Sequence, residues 1–235
     1  MSKLNVKIYS DGANVADMVH ADKNNLVDGF TTNPTLMAKA GITDYMGFAQ
    51  EALSHIKDKS ISFEVFSDDL NEMYVQALKL RDLGENVFVK IPVSNTKQEY
   101  TYELINKLSN EGVKLNVTAL FTKDHIDKVY ESLNKNVNSI ISIFAGRIAN
   151  AGIDPEPTMK YAVDLTSRDT LIDILWASSR EVFNIIQAER TGTQIITLAP
   201  NLISAMKDLG KDLDEFSLET VKMFYKDATQ AGFKI

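Results

Sequence analysis

Residues 87–94 read VFVKIPVS, an apolar run interrupted by one ammonium group at Lys90. Such a run fits a strand covered on both faces, as in a parallel sheet flanked by helices. A lysine in that setting is costly unless something pairs with it or uses it. Comparable β-like runs lie on either side: VKIYS from residue 6, GFTT from 29, ISFEVF from 61, KLNVTAL from 114, SIISIF from 139, LIDILWA from 171 and QIITLA from 194. Successive runs start 23 to 32 residues apart, about one strand–helix unit each.

The segments between them carry helical signals. After the fourth run, Tyr100, Leu104, Ile105 and Leu108 form an apolar stripe, and Gly112 supplies a left-handed stop. After the third, Asp68 is the expected N-cap, Leu70, Met73 and Ala77 face one way, and Gly84 closes the segment. After the seventh, Val182, Phe183, Ile185 and Ile186 repeat the theme before Gly192. Eight such units predict an α/β fold: one (β/α)8 TIM barrel over residues 1–235. A doubly wound open sheet is the alternative, and the lack of GxGxxG after the first run weakens its dinucleotide-binding version.

Composition narrows the chemistry. The net charge of −7 argues against a nucleic-acid or anionic-membrane partner, so an anionic ligand must be held by a few placed cations. Without cysteine there is no thiolate catalysis and no zinc–thiolate site, and His20, His55 and His125 show no metal-ligand spacing. We expect no metal and no cofactor. The opening MSKLNVKIYS lacks a long apolar core and no run approaches a membrane span, so the expected location is cytoplasmic.

A barrel places its chemistry at the C-terminal ends of its strands. Those ends are polar here: Asp11, then Thr31-Thr32-Asn33, Glu64, Lys90, Asn116 with Thr118, Ser142 with Arg147 beyond, and Ser178 with Arg180. Seven of eight runs thus deliver a polar group to one rim. A dehydrated lysine gives up its proton more readily, and a neutral amine can attack a carbonyl to form a Schiff base. Asp11 and Glu64 are carboxylates suited to moving the protons, and Asn33 and Asn116 can both donate to and accept from a polyhydroxy substrate. Arg147 and Arg180 suit a phosphate.

Each group also has a plainer reading. Lys90 can snorkel or pair with a carboxylate. Asp11 and Asn14 read as turn and cap residues, and Asn33-Pro34 as a turn. Asn116 and Thr118 suit the polar layer of any barrel. Arg147 can cap a helix or join a subunit contact. Arg180 opens a helix, where a positive charge opposes the dipole and a bound anion would offset it. It is the shared position of these groups that indicates a site.

The motifs TTNPTL, VFVKIPVS, LNVTALF, SIFAGRI and ASSR, in this order and each at a strand end, resemble the transaldolase family over nearly the whole chain. The resemblance implies a class I, Schiff-base, metal-independent enzyme. Lys90 would attack C2 of a ketose phosphate, Glu64 would shuttle protons through a water held by Thr118, and Asp11 would take the C4 hydroxyl proton. Asn33, Asn116 and Ser142 would hold a dihydroxyacetone fragment, and Arg147, Ser178 and Arg180 the phosphate. Short relatives include fructose-6-phosphate aldolases, which carry Gln at the Glu64 position and Tyr at the Phe144 position and lack the Asn116 amide. Glu64, Asn116, Phe144 and Arg180 stand on the transaldolase side, because Phe144 cannot organise a water against the enamine.

Ile143, Ser179 and the DGAN opening depart from the family pattern around the phosphate end and the rim, which keeps a sulfonated sugar among the alternatives. A non-catalytic sugar-phosphate-binding module is the alternative of a different class. The stretch 217–235 is expected to be a helix with an apolar-aromatic stripe and a loose tail. By resemblance it would pack on a neighbouring subunit in a pentamer or decamer; otherwise it would close its own barrel.

Overall fold

The computed structural model describes residues 4–235. Eight strands form one closed parallel barrel in sequence order: β1 (Lys7–Asp11), β2 (Gly29–Thr31), β3 (Ser60–Glu64), β4 (Val87–Pro92), β5 (Leu115–Leu120), β6 (Ser139–Ile143), β7 (Ile172–Trp176) and β8 (Ile195–Leu198). Each coincides with one of the eight runs read from the sequence. The chain therefore adopts the (β/α)8 fold, and β1 pairing with β8 excludes the open sheet.

Among the described residues eleven α-helices accompany the barrel: α1 (Val15–Lys23), α2 (Pro34–Lys39), α3 (Tyr45–His55), α4 (Leu70–Arg81), α5 (Tyr102–Asn110), α6 (Lys123–Ser132), α7 (Ala145–Asn150), α8 (Glu156–Thr166), α9 (Phe183–Thr191), α10 (Pro200–Ala205) and α11 (Leu213–Ala231). The two longest spacings between strand starts, 29 to 61 and 139 to 171, each hold two helices. The extra short helices, α2 and α7, stand at the rim, and both carry residues of the site.

Alternation along the strands divides the core in two. Val87, Val89, Ile91 and Val93 pack outward with the helices, while Phe88 joins an inner cluster with Tyr9, Ile140, Leu175, Ala177 and Ile195. Burying a side chain of this size contributes about 1.5–3 kcal/mol.

Several local expectations change. Asp69, not Asp68, caps α4, accepting from the N–H groups of Asn71 and Glu72. Asp68 instead accepts from the Thr96 N–H and hydroxyl at 2.8 and 2.6 Å. Helix α4 ends at Arg81 and Gly84 is not left-handed, whereas Gly112 and Gly192 are, with φ of 78° and 75°. Tyr100 lies outside α5, and Phe183 is exposed on α9 although it fits the apolar stripe.

The C-terminal helix begins at Leu213, four residues before the expected start, where Asp212 caps it. None of its residues is buried, so it does not close its own barrel. No helix among the described residues is long and apolar enough to cross a membrane.

Candidate active site

A cavity of about 550 Å³ opens at the C-terminal end of the barrel. Ten of the eleven residues singled out from the sequence line it: Asp11, Asn33, Glu64, Lys90, Thr118, Ser142, Phe144, Arg147, Ser178 and Arg180. They come together from seven strands and the segments that follow them. Asn116 is the exception. It is fully buried; its amide donates to Ser62 Oγ at 2.9 Å and its carbonyl accepts from Ser142 Oγ at 2.7 Å. Asn116 thus stands behind the cavity wall, bridging Ser62 and Ser142, with one N–H and one carbonyl lone pair of its amide still unused in these two bonds. The Ser142 hydroxyl spends its proton on Asn116, which leaves its lone pairs as acceptors at the cavity wall.

Lys90 answers the question raised by VFVKIPVS. Its side chain is only 9% exposed, and Nζ lies 3.1 Å from Glu64 Oε2 and 3.2 Å from the Thr32 carbonyl. The ammonium does pair with a carboxylate, and that carboxylate belongs to the same site. The pairing follows from register, since Glu64 and Lys90 sit opposite each other across β3 and β4.

Asp11, at the end of β1, has its carboxyl pKa raised, chiefly by burial; the nearby Lys90 charge and a hydrogen bond from Thr31 pull it back down. Thr31 Oγ1 donates to Asp11 Oδ1 at 2.8 Å and also lies 2.6 Å from Thr197 Oγ1. Thr31 has one hydroxyl proton and gives it to Asp11, so Thr197 is the donor in the second contact. The eighth strand thus contributes to the rim as well, through Thr197, which the sequence reading overlooked. Lys39, at the end of α2, also lines the cavity and was likewise unanticipated.

Other wall residues have distinct settings. Asn33 caps α2, accepting from the Leu36 N–H at 3.0 Å. Asn33-Pro34 therefore starts a helix rather than forming a turn, and Asn33 still lines the cavity. Thr118 Oγ1 is buried without a hydrogen-bond partner among the described residues, beside a bulge in β5 where Ala119 takes φ of 63°. An unpaired buried hydroxyl beside a bulge is characteristic of functional sites.

The two arginines converge from adjoining elements. Arg147 on α7 stands over the Phe144 ring at 5.2 Å, and Phe144 leans on Phe121. Arg180 precedes α9, which begins only at Phe183, so it does not open that helix as expected. With the Asn150 amide turned to satisfy its surroundings, its oxygen accepts from Arg180 at 3.2 and 3.3 Å. Neither arginine has a carboxylate within salt-bridge distance among the described residues. Two guanidinium groups without a counter-charge thus stand at one wall, a chemistry suited to an anion.

Gly146 makes this wall possible. A Cβ at that position would overlap the Ser178 carbonyl oxygen, so α7 lies directly against the loop that carries Ser178 and Arg180. Ser178 itself holds a left-handed φ of 65°, an uncommon state for a residue with a side chain.

A closed parallel barrel with a lysine–carboxylate pair and two guanidinium groups at its strand ends has the architecture of a (β/α)8 enzyme. The chain belongs to the Transaldolase/Fructose-6-phosphate aldolase family, whose sequence profile matches residues 8–235. It is 30% identical to a "Probable transaldolase" of Thermoanaerobacter sp. (strain X514), covering 98% of this chain and 100% of that one. It is 32% identical to a "Probable transaldolase" of Clostridium perfringens, covering 86% and 89%. A third such relative, from Nitrosopumilus maritimus, is 30% identical and covers 94% of each chain. The crystal structure of KGPDC from Streptococcus mutans superposes with a TM-score of 0.57 at 10% identity, covering 86% of this chain and 91% of that one. That likeness reflects the shared barrel alone.

Proposed function

We propose that this chain is a class I transaldolase, moving a dihydroxyacetone unit from a ketose phosphate such as fructose 6-phosphate or sedoheptulose 7-phosphate to an aldose phosphate. The observation that carries the proposal is the Lys90–Glu64 pair, 3.1 Å apart on the floor of a cavity that also contains Asp11. Glu64 takes a proton from Lys90, and the free amine adds to C2 of the donor. The carbinolamine then loses water, with Glu64 returning the proton and the Thr118 hydroxyl holding the water. Asp11 removes the C4 hydroxyl proton, the C3–C4 bond breaks, and its electron pair moves to the iminium nitrogen. An aldose phosphate leaves, and the enamine on Lys90 attacks the acceptor aldehyde. Asp11 gives its proton to the new hydroxyl, and water releases the product from Lys90.

Arg147 and Arg180 hold the phosphate, while Asn33 and Ser142 hold the three-carbon fragment, with Asn116 acting through Ser142. Phe144 presents a ring and no hydroxyl to the enamine, which favours transfer over release. The apolar side of α11, including Phe216, Val221 and Phe224, packs in this reading on a second copy of the chain. The partners are small sugar phosphates and the setting is the cytoplasm.

The test is glyceraldehyde 3-phosphate released from fructose 6-phosphate with and without erythrose 4-phosphate. Release that needs the acceptor supports the proposal. Equal release without it indicates a free aldolase and overturns the role given to Phe144. No release in either case excludes this donor and directs the search to other ketoses, sulfonated ones included.

A further inference from the structure

Strand β3 outruns its neighbour, and one phenol fills the gap. On the β2 side, the Ser62 carbonyl accepts from the Thr32 N–H at 3.1 Å. Two residues later the N–H and C=O of Glu64 point to that same side. There β2 has already ended at Thr31, and the chain has turned away into α2. Tyr45, the first residue of α3, stands in for the missing strand. Its Oη accepts from the Glu64 N–H at 2.8 Å and donates to the Glu64 C=O at 2.7 Å. Across the barrel wall, Val65 N–H donates to the Lys90 carbonyl at 3.0 Å, so the end of β3 is held from both sides. The Tyr45 ring rests against Phe66 at 5.3 Å. Burial raises the phenol pKa, so the hydroxyl keeps the proton it donates to the carbonyl.

We infer that Tyr45 is a positioning residue for the reaction: it fixes the backbone of Glu64 and so aims the carboxylate at Lys90 Nζ. It touches neither the substrate nor the reacting atoms. The inference rests on the Schiff-base reading above and extends it to a residue on a different helix. A strand end with both peptide groups unpaired frays, and proton transfer falls steeply when donor and acceptor lose alignment.

Tyr45→Phe keeps the ring and removes both hydrogen bonds. The readout is the rate at which fructose 6-phosphate becomes fixed to Lys90 when samples are quenched with borohydride and analysed by mass spectrometry, alongside kcat and KM. Tyr45→Phe should slow adduct formation about ten-fold with donor KM changed less than about two-fold. In a Glu64→Gln background the same change should cost less than about two-fold, because the residue through which Tyr45 acts is already disabled. An equal loss in both backgrounds, or none in either, overturns the inference. A wild-type enzyme that forms no adduct overturns the Schiff-base reading instead, and this inference with it. If Tyr45→Phe is too unstable to purify, Phe66→Leu withdraws only the ring support. The adduct rate should then fall about two-fold with KM unchanged, and an unchanged rate counts against the role of Tyr45.

Discussion

The two ends of the barrel are both polar, yet they treat their polar groups in opposite ways. At the N-terminal end Lys7 pairs with Asp173 at 3.2 Å, the Tyr9 hydroxyl meets Ser60 Oγ at 2.7 Å, and Asp28 accepts from the Ile8 N–H at 2.8 Å. These groups are satisfied by one another. At the C-terminal end Arg147 and Arg180 lack a counter-charge among the described residues, Thr118 Oγ1 lacks a partner, and Asp11 is buried enough to raise its pKa. One end has completed its interactions within the chain, while the other leaves its bonding capacity for a ligand. Under the proposed function, the same barrel geometry supports stability at one end and chemistry at the other.

The comparison breaks most sharply at Lys90. Lys90→Met should lower turnover by about three orders of magnitude or more while circular dichroism shows a folded barrel, since the substitution roughly conserves volume. Wild-type turnover in that variant would remove the reason for treating the upper end as catalytic.

A matched pair of substitutions sharpens the contrast. Arg180→Met should raise KM for a phosphorylated donor roughly 10- to 100-fold, the worth of a charge-assisted hydrogen bond, and leave the melting temperature nearly unchanged. Lys7→Met should leave kcat and KM alone and cost at most about 1 kcal/mol, because the Lys7 side chain is 51% exposed and its ion pair is screened by solvent. Steady-state kinetics with thermal melts of both variants separates the two ends, and a kinetic defect in Lys7→Met would erase the distinction.

The smallest effect is a displacement in pH. In the proposed mechanism Asp11 acts as a base only when ionised, and burial raises its pKa above the usual carboxylate range, so activity should fade as pH falls through that raised value. Thr31→Val removes a hydrogen bond that favours the charged form, so the acid limb of the kcat profile should move to higher pH. The sign for stability is opposite to that of an ordinary salt-bridged aspartate. A carboxyl with a raised folded pKa supports the fold at low pH and loses that contribution as pH rises through the folded value. Asp11→Asn should therefore raise the melting temperature at neutral pH, and a fall in melting temperature would contradict the burial argument.

The eight strands were legible because each is a compact apolar run set off by its own helix, and a closed parallel barrel leaves few other ways to arrange them. The rim was legible for a related reason: polar residues at strand ends converge once the strands close. Partnerships between distant segments were not. Asn116 reads as one polar residue of the rim, and its bonds to Ser62 and Ser142 join segments far apart in the sequence. Thr197 reads as one residue of an apolar run, and only the closure of β8 on β1 brings it to Thr31. Tyr45 lies at the start of a surface helix, and nothing nearby in sequence indicates that it completes the edge of β3. The N-cap of α4 moved by one residue because Asp68 and Asp69 are chemically equal locally, and Thr96, far along the chain, engages the first.

The absent side chain at Gly146 has a consequence for discrimination. Because the backbone of α7 abuts the Ser178 carbonyl with no atom to spare, the two main-chain segments that carry Arg147 and Arg180 are held at one separation. Under the proposed function, that fixed spacing of the backbone would select by dimension, favouring a tetrahedral anion on a chain of suitable length over one that arrives short.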